Sequence, residues 1–468
     1  MSQQIENNID KRMERFRLLL DKSGFDYKQY QYDGVAWCIN SELSGKKGGI
    51  IADEMGLGKT ITMIGTMVCN FLKKTIIVLP PVLIQQWQKE IFRLTGHKCL
   101  VYYGSNKKLI TNEALEKAII VLTSYGSLLA KDCVLLKFYW GRAIFDEAHH
   151  LRNEKTKRFQ TCLQLRAGVR WLVTGTPVQN KAADFKSLCR MANMSELGTN
   201  ILRRTKSGVG INLPPLVANL CIIKWKSASE MLLSEEIHAL LPNQSGVSSE
   251  KRKQLAEIWD DKGRSGGQLV AMVRAKQSCI LPELMRKNIE SFVKRGYISQ
   301  KYLDGLNDSS KLDAVVKLLL ERKDNGKGKI VFCHYRKEID MLMQRLSSSG
   351  INKIVFYDGR NSGKKGLKLL TEPADVLLIQ IQTGCEGLNL QEHFSEIYFV
   401  SPHWNPSVED QAIARCYRIG QQQSVKVFKF EMAAFKKEMY EDITPITIET
   451  YINIKQDFKR QIGKEILE

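Results

Sequence analysis

No run in this 468-residue chain approaches the roughly 18 consecutive apolar residues of a membrane span, and its start, MSQQIENNIDKR, lacks the apolar stretch of a secretory leader. Membrane insertion and secretion are set aside, and a soluble intracellular protein is expected. Histidine is scarce, at 7, and the 11 cysteines are so dispersed that the closest two, Cys162 and Cys189, stand 27 positions apart. That spacing supports no CxxC knuckle, RING-like zinc site or disulfide framework, so no zinc is expected and the thiols read as buried in a reducing compartment. Short-period repeats and low-complexity tracts are also lacking, which argues against a solenoid or a largely disordered chain. Acid is the minority charge, 50 Asp plus Glu against 70 Lys plus Arg, and the net +20 favours a polyanionic partner, nucleic acid first.

What the chain does have is 43% hydrophobic and 26% charged residues, the usage of an ordinary globular protein. Its length predicts two or three cores. Apolar, β-branched runs of strand length precede longer helical patterns at Lys74–Leu79, Ala118–Leu122, Arg142–Phe145, Trp171–Val173, Lys329–Phe332, Val376–Ile379 and Ile397–Val400. This alternation predicts an α/β protein with parallel sheets and crossover helices. The runs form two blocks, roughly 45–224 and 328–430, separated by a lysine-rich, helix-leaning insert. Between Lys251 and Lys301 there are 12 basic and 5 acidic residues, consistent with a basic helical arm or a solvated surface.

Two motifs carry chemistry. Gly49–Thr60, GIIADEMGLGKT, is an apolar run entering a glycine-rich turn. Such a turn points backbone N–H groups at phosphates, with Lys59 against the β and γ oxygens and the Thr60 hydroxyl on Mg²⁺. The phosphate-loop pattern GxxxxGK[ST] wants glycine at position 53, where this chain has Asp53. Ala143–His149, AIFDEAH, is a short strand ending in two carboxylates: Asp146 suits Mg²⁺, and Glu147 suits orienting and deprotonating a water. Further on, QAIARCYRIGQ spaces Gln411, Arg415 and Arg418 at i, i+4 and i+7, which predicts one helical face carrying two arginines for γ-phosphate charge.

In order and wording these segments resemble the Snf2 group of superfamily 2 DNA-dependent ATPases over nearly the whole chain. Tyr30-Gln31-x-x-Gly34 is similar to the Q motif, which implies that Gln31 reads adenine. DEMGLGKT is similar to motif I, so Asp53, Glu54, Met55, Gly56, Leu57, Gly58, Lys59 and Thr60 line the ATP site. PPVLIQQWQKE resembles motif Ia, LTSY motif Ib, DEAH motif II, and LVTGTPVQN motif III. KIVFCHY resembles motif IV, TGCEGLNL motif V and QAIARCYRIGQ motif VI, with Trp404-Asn405-Pro406 as a further Snf2 mark. The resemblance implies ATP and Mg²⁺ as cofactors, with Gly387 and Gln411 completing the ATP site. It implies coupling through His149, Thr174, Gly175 and Thr176, and DNA contacts at Pro80, Gln86, Ser124, Thr383, Gly384 and Trp404. Trp37, Trp87 and Cys333 are assigned to the core.

The implied architecture is two RecA-like lobes with parallel sheets joined by a basic helical insert: an ATP-binding lobe at 1–222, an insert and linker at 223–309 and a C-terminal lobe at 310–468. The segment Ile144–Lys181 and the run WNPSVEDQA most resemble the Rad5/Rad16 and transcription-termination-factor branch, and small viral Snf2-like proteins are similar in size. Ala414 and Tyr417 stand where the family usually has aspartate and histidine, and residues 180–202 leave little room for its helical protrusion. No RING, bromodomain, chromodomain or SANT-like module is expected. The implied activity is ATP-dependent translocation on double-stranded DNA by a monomeric motor that displaces bound proteins, in a nucleus or a cytoplasmic viral factory. A strand-separating helicase, an RNA-dependent ATPase and a DNA-binding transcriptional scaffold with a dispensable ATPase remain open.

Overall fold

Valine, isoleucine and leucine fill both parities of the apolar runs, so a strand made from them must be covered on both faces, as parallel strands are. The computed structural model describes residues 2–194, 200–239, 241, 267–296, 298–361, 372–384, 388–435 and 446–467, and it contains two such sheets. The first joins β1 (Gly48–Ile51), β2 (Thr75–Leu79), β3 (Leu100–Tyr102), β4 (Ile120–Ser124), β5 (Tyr139–Asp146), β6 (Arg166–Val173) and β7 (Ile201–Leu202) in the order β3-β4-β2-β5-β6-β1-β7. All its pairings are parallel, with Ile50 opposite Leu172 and Ile144 opposite Trp171. Ile50, Ile76, Val78 and Phe145 pack into one core, while Ile51, Ile77, Leu79 and Ile144 pack into another on the opposite face. The helix Ser2–Ser23 lays Met13, Phe16 and Leu20 against Val35, Ile39 and Cys69, so the N-terminal helix packs on the first unit.

The second sheet runs β10 (Ile354–Tyr357), β11 (Val376–Gln380), β9 (Gly328–Cys333), β12 (Phe394–Phe399), β13 (Val425–Met432) and β8 (Leu216–Ile223), again all parallel. Its two faces bury Val331, Leu378 and Phe430 on one side and Ile330, Leu377 and Ile397 on the other.

Three predicted boundaries move. The chain divides into a first unit of Met1–Asn212 with Lys459–Glu468, and a second of Leu213–Phe458. The first lobe therefore ends before residue 222, because β8 pairs with β13 from Leu216 opposite Val425 to Ile223 opposite Met432. The insert at 223–309 is no separate linker. Leu233, Ile237, Ala275, Cys279, Met285 and Phe292 from its helices share one core with Met432, Ile448 and Ile452, which makes it part of the second unit. Lys459 lies within electrostatic reach of Arg152 and Asp184, consistent with the last ten residues counting with the first unit rather than with 310–458. Of the predicted basic arm, residues 251–266 lie outside the described residues. Lys276 within it is turned inward and donates to the Pro402 carbonyl at 2.7 Å.

One buried histidine ties this helical core to the C-terminal helix Ile448–Leu467. His238 donates from Nδ1 to the Ser234 carbonyl at 2.7 Å and accepts the Ile448 N–H at Nε2, 3.0 Å away, so the ring is neutral. Burial pushes its pKa down to about 4, against smaller opposing effects of the Ser234 bond and Glu449. A depressed histidine contributes stability that is present above pH 6.5 and is lost as pH falls toward 4, about 3 kcal/mol in all. Urea titrations of wild type and His238→Gln should show this loss in the wild type and a flatter profile in the variant. Equal losses in both would refute the assignment.

Candidate nucleotide site

β1 delivers the loop 52–58 to the C-terminal edge of the first sheet, and the helix Lys59–Cys69 leaves from it. Gly58 caps that helix at φ +81°, and a Cβ there would lie 2.4 Å from Gln31 Nε2, so only glycine fits. Gln31 in turn donates to the Leu57 carbonyl at 3.3 Å, holding the Q-motif helix Gln29–Leu43 on the loop. Asp53, where the phosphate-loop pattern wants glycine, is 1% exposed and accepts a forked pair of bonds from Arg204, Nε at 3.0 Å and Nη2 at 2.5 Å. Its carboxylate is thereby anchored at the back of the loop. Lys59 Nζ donates to the carbonyls of Asp53 at 2.8 Å and Glu54 at 3.3 Å. Burial lowers its pKa, and the charges of Glu147, Asp53 and Asp146 oppose that.

β5 ends at Asp146, three strands inward from the β7 edge. Its Oδ2 accepts the indole N–H of Trp87 at 2.7 Å, its Oδ1 the backbone N–H of Glu147 at 3.0 Å, and its carbonyl the hydroxyl of Tyr125 at 2.7 Å. Burial, and then the neighbouring Glu147 charge, raise the Asp146 carboxyl to about 7, with the Trp87 bond and Lys59 pulling the other way. A carboxylate kept this dry and close to a second one suits a cation, and its oxygens, like the Thr60 hydroxyl, are of the hard type that Mg²⁺ takes. Glu147 sits at φ +49°, left-handed backbone that a non-glycine residue adopts only when its surroundings hold it there.

From Glu147 a chain of polar contacts leads to the segment after β6. His149 Nδ1 lies 3.2 Å from Glu147 Oε2 and 3.5 Å from Thr174 Oγ1, and Thr174 accepts the Thr176 N–H at 3.2 Å. A Cβ on Gly175 would stand 2.7 Å from Met55 Cγ and 3.4 Å from Lys59 Nζ. Lys59, Asp146, Glu147, His149, Thr174 and Gly175, drawn from three stretches of sequence, therefore meet at one sheet edge.

Other predicted residues are placed differently. Ser124 is buried, and its hydroxyl caps the short helix Tyr125–Leu128 by accepting the Ser127 N–H at 3.1 Å, so it presents no surface for DNA. Pro80 is also buried, whereas Gln86 is half-buried on the helix Ile84–Thr95 beside Trp87. In the second unit, Thr383 and Gly384 end the four-residue helix Ile381–Gly384, Gly387 lies outside the described residues, and Trp404 is half-buried against the helical core. The expectation of one helical face for Gln411, Arg415 and Arg418 is overturned: the helix Pro406–Ile413 carries only Gln411. Past its end Cys416 packs into the sheet's core and the Arg415 carbonyl accepts the Leu390 N–H at 3.0 Å, a tertiary bond in place of a helical one. Arg418 is instead held by the Asn389 side chain.

Sequence reasoning reads Leu202–Lys206, LRRTK, only as similar to the element that closes the first lobe; it gives Arg204 and Lys206 no role at the loop and misses the polar role of Trp87. Lys206 binds both oxygens of Glu54, through Nζ at 2.7 Å and its backbone N–H at 2.8 Å. Burial would raise Glu54, but these bonds outweigh it and the carboxyl stays below its usual range. The available signal was Asp53 itself, a carboxylate in a phosphate loop that demands a cation elsewhere. Among the described residues no cluster of His, Cys, Asp and Glu forms a further metal site, the ten cysteines are free, and no helix is long and apolar enough to cross a membrane.

A glycine-rich loop after β1, paired carboxylates ending β5 and two parallel sheets define a RecA-like nucleoside-triphosphate-binding protein of the helicase class. The helicase domain of Pyrococcus furiosus Hef shares this fold, with TM-score 0.56 and 17% identity over 87% of this chain and 95% of that one. Residues 30–200 match the SNF2-related domain and residues 310–420 the helicase conserved C-terminal domain, and the chain belongs to the Snf2 family. It is 26% identical to an uncharacterized ATP-dependent helicase of Mycoplasma genitalium over 97% of its own length and 43% of the relative's. This chain thus spans about two fifths of that longer protein. It is also 26% identical to a probable global transactivator of Orgyia pseudotsugata multicapsid polyhedrosis virus, over 94% of this chain and 91% of that one.

Proposed function

We propose that the chain is an ATP-dependent translocase on double-stranded DNA that displaces or remodels bound proteins. The observation that carries the proposal is the meeting of Lys59, Asp146, Glu147 and His149 with Thr174 at one sheet edge. Lys59 and the loop's N–H groups hold the triphosphate, Asp146 and Thr60 hold Mg²⁺, and Glu147 takes the proton of the attacking water. Bound Mg²⁺ supplies charge neutralisation at the β and γ oxygens. The Glu147–His149–Thr174 contacts report the state of that site to the segment after β6. Trp87 gives a second route, since a hydrogen bond joins Asp146 to the helix on which Gln86 is proposed to touch DNA.

The net charge of +20 supports a nucleic-acid partner, and Snf2 membership favours duplex DNA within that class. Tracking along phosphates is sequence-independent and salt-sensitive. Steady-state ATP hydrolysis with no nucleic acid, single-stranded DNA, duplex DNA and RNA tests the reading. Duplex DNA is expected to stimulate most, and raising salt from 50 to 200 mM to weaken that stimulation by about tenfold or more. Stimulation by RNA alone, or strand separation on forked DNA, would replace the translocase with one of its rivals.

A further inference from the structure

Four carboxylates surround the place where a triphosphate would bind: Asp53 and Glu54 in the loop, Asp146 and Glu147 at the end of β5. Each repels phosphate unless a cation holds it, and in a water-poor site the repulsion is strong. Lys59 interacts with all four: Glu147, Asp53 and Asp146 act on it, and it in turn lowers Glu54. It is a contested cation, able to serve phosphate only if no carboxylate captures it.

Asp53 is a close competitor: its carboxylate acts on Lys59, and its own backbone carbonyl already receives the ammonium at 2.8 Å. Both of its carboxylate oxygens are nevertheless taken by Arg204. Arg204 is itself fixed on three sides. Nη1 donates to the Tyr30 carbonyl, the guanidinium lies 5.6 Å from the Tyr30 ring centre, and Nη2 occupies the space that a Cβ on Gly34 would need, 2.8 Å away. The segment carrying Arg204 is zipped to the loop by backbone bonds from Ile50 to Asn200, Ala52 to Leu202 and Glu54 to Arg204, at 3.1, 2.7 and 2.9 Å. Two residues on, Lys206 treats Glu54 in the same way.

We propose that Arg204 is a positioning residue for nucleotide binding: by occupying both oxygens of Asp53 it leaves the Lys59 ammonium to the phosphates of ATP. This rests on the ATP reading above and adds the residue that makes an aspartate tolerable in a phosphate loop. Without Arg204, the stranded Asp53 carboxylate still attracts Lys59, and the loop would close on itself in an ion pair.

The test measures the dissociation constant of a fluorescent ATP analogue for the full chain, with thermal unfolding alongside. Arg204→Gln is expected to weaken binding about tenfold or more, and Asp53→Asn added to it to restore affinity to within about threefold of wild type. A merely structural brace predicts no such rescue, since the double variant still lacks the contacts to Tyr30. Should Arg204→Gln fail to fold, Asp53→Asn alone decides: affinity within about threefold of wild type supports the proposal, and a tenfold loss overturns it. Wild-type binding no better than that of Lys59→Ala would bring down the ATP reading and this one with it. Firm wild-type binding that Arg204→Gln leaves unchanged, or that the double variant fails to recover, brings down this one alone.

Discussion

Glu147→Gln is expected to lower ATP hydrolysis by about 10²- to 10⁴-fold while leaving nucleotide affinity within about threefold of wild type. The substitution keeps the size of the side chain and removes only the carboxylate proposed to take the proton. Glu147 is held at φ +49° with its carboxylate 3.2 Å from His149, geometry that fixes where the base points. Binding is proposed to belong to other groups, Lys59 and the loop, so it should survive. Phosphate release and analogue binding measured on the same preparation separate the two. Binding lost together with hydrolysis would show that Glu147 holds the nucleotide rather than activating water.

Arg418→Ala should cost about 10³-fold in kcat, with ATP affinity little changed, if it stabilises charge on the transferring phosphoryl group. Burial, and after it the Arg415 charge, lower the Arg418 pKa to about 10, which still leaves it protonated at neutral pH. The Asn389 side chain orients its guanidinium. Because the fork geometry matters as well as the charge, Arg418→Lys should recover little of the rate. A variant with raised KM and unchanged kcat would assign Arg418 to ground-state binding and contradict the finger role.

The elements that sequence reasoning places well are those whose signal is local. Lys74–Leu79, Val376–Ile379 and the other apolar runs become strands because both of their faces are apolar, and no other arrangement buries them. The glycine turn at 56–58 and the carboxylates of Asp146 and Glu147 are legible for the same reason. Each is a short word whose chemistry is complete within a few residues, and the sheet needs only to bring the words together.

The misplaced elements depend on partners far along the chain. Leu216–Ile223 has strand character on its face, but which sheet accepts it is decided by β13, two hundred residues later. Helical spacing of Gln411, Arg415 and Arg418 is real in the sequence, and past the helix its place is taken by the burial of Cys416 and the bond from the Leu390 N–H to the Arg415 carbonyl. Ser124 looks like an available hydroxyl until the turn after β4 uses it as a cap.

By itself the sequence determined the α/β class, the two blocks of parallel strands, the identity of the phosphate loop and its carboxylates, and the Snf2 resemblance, because periodicity and short motifs are properties of adjacent residues. Tertiary structure alone decided where the units divide, that Trp87 grips Asp146, and that Arg204 and Lys206 neutralise Asp53 and Glu54. These are contacts across 59 to 152 residues of chain. Their formation depends on which strands lie side by side, and that is set by the burial of whole faces rather than by any local run of residues.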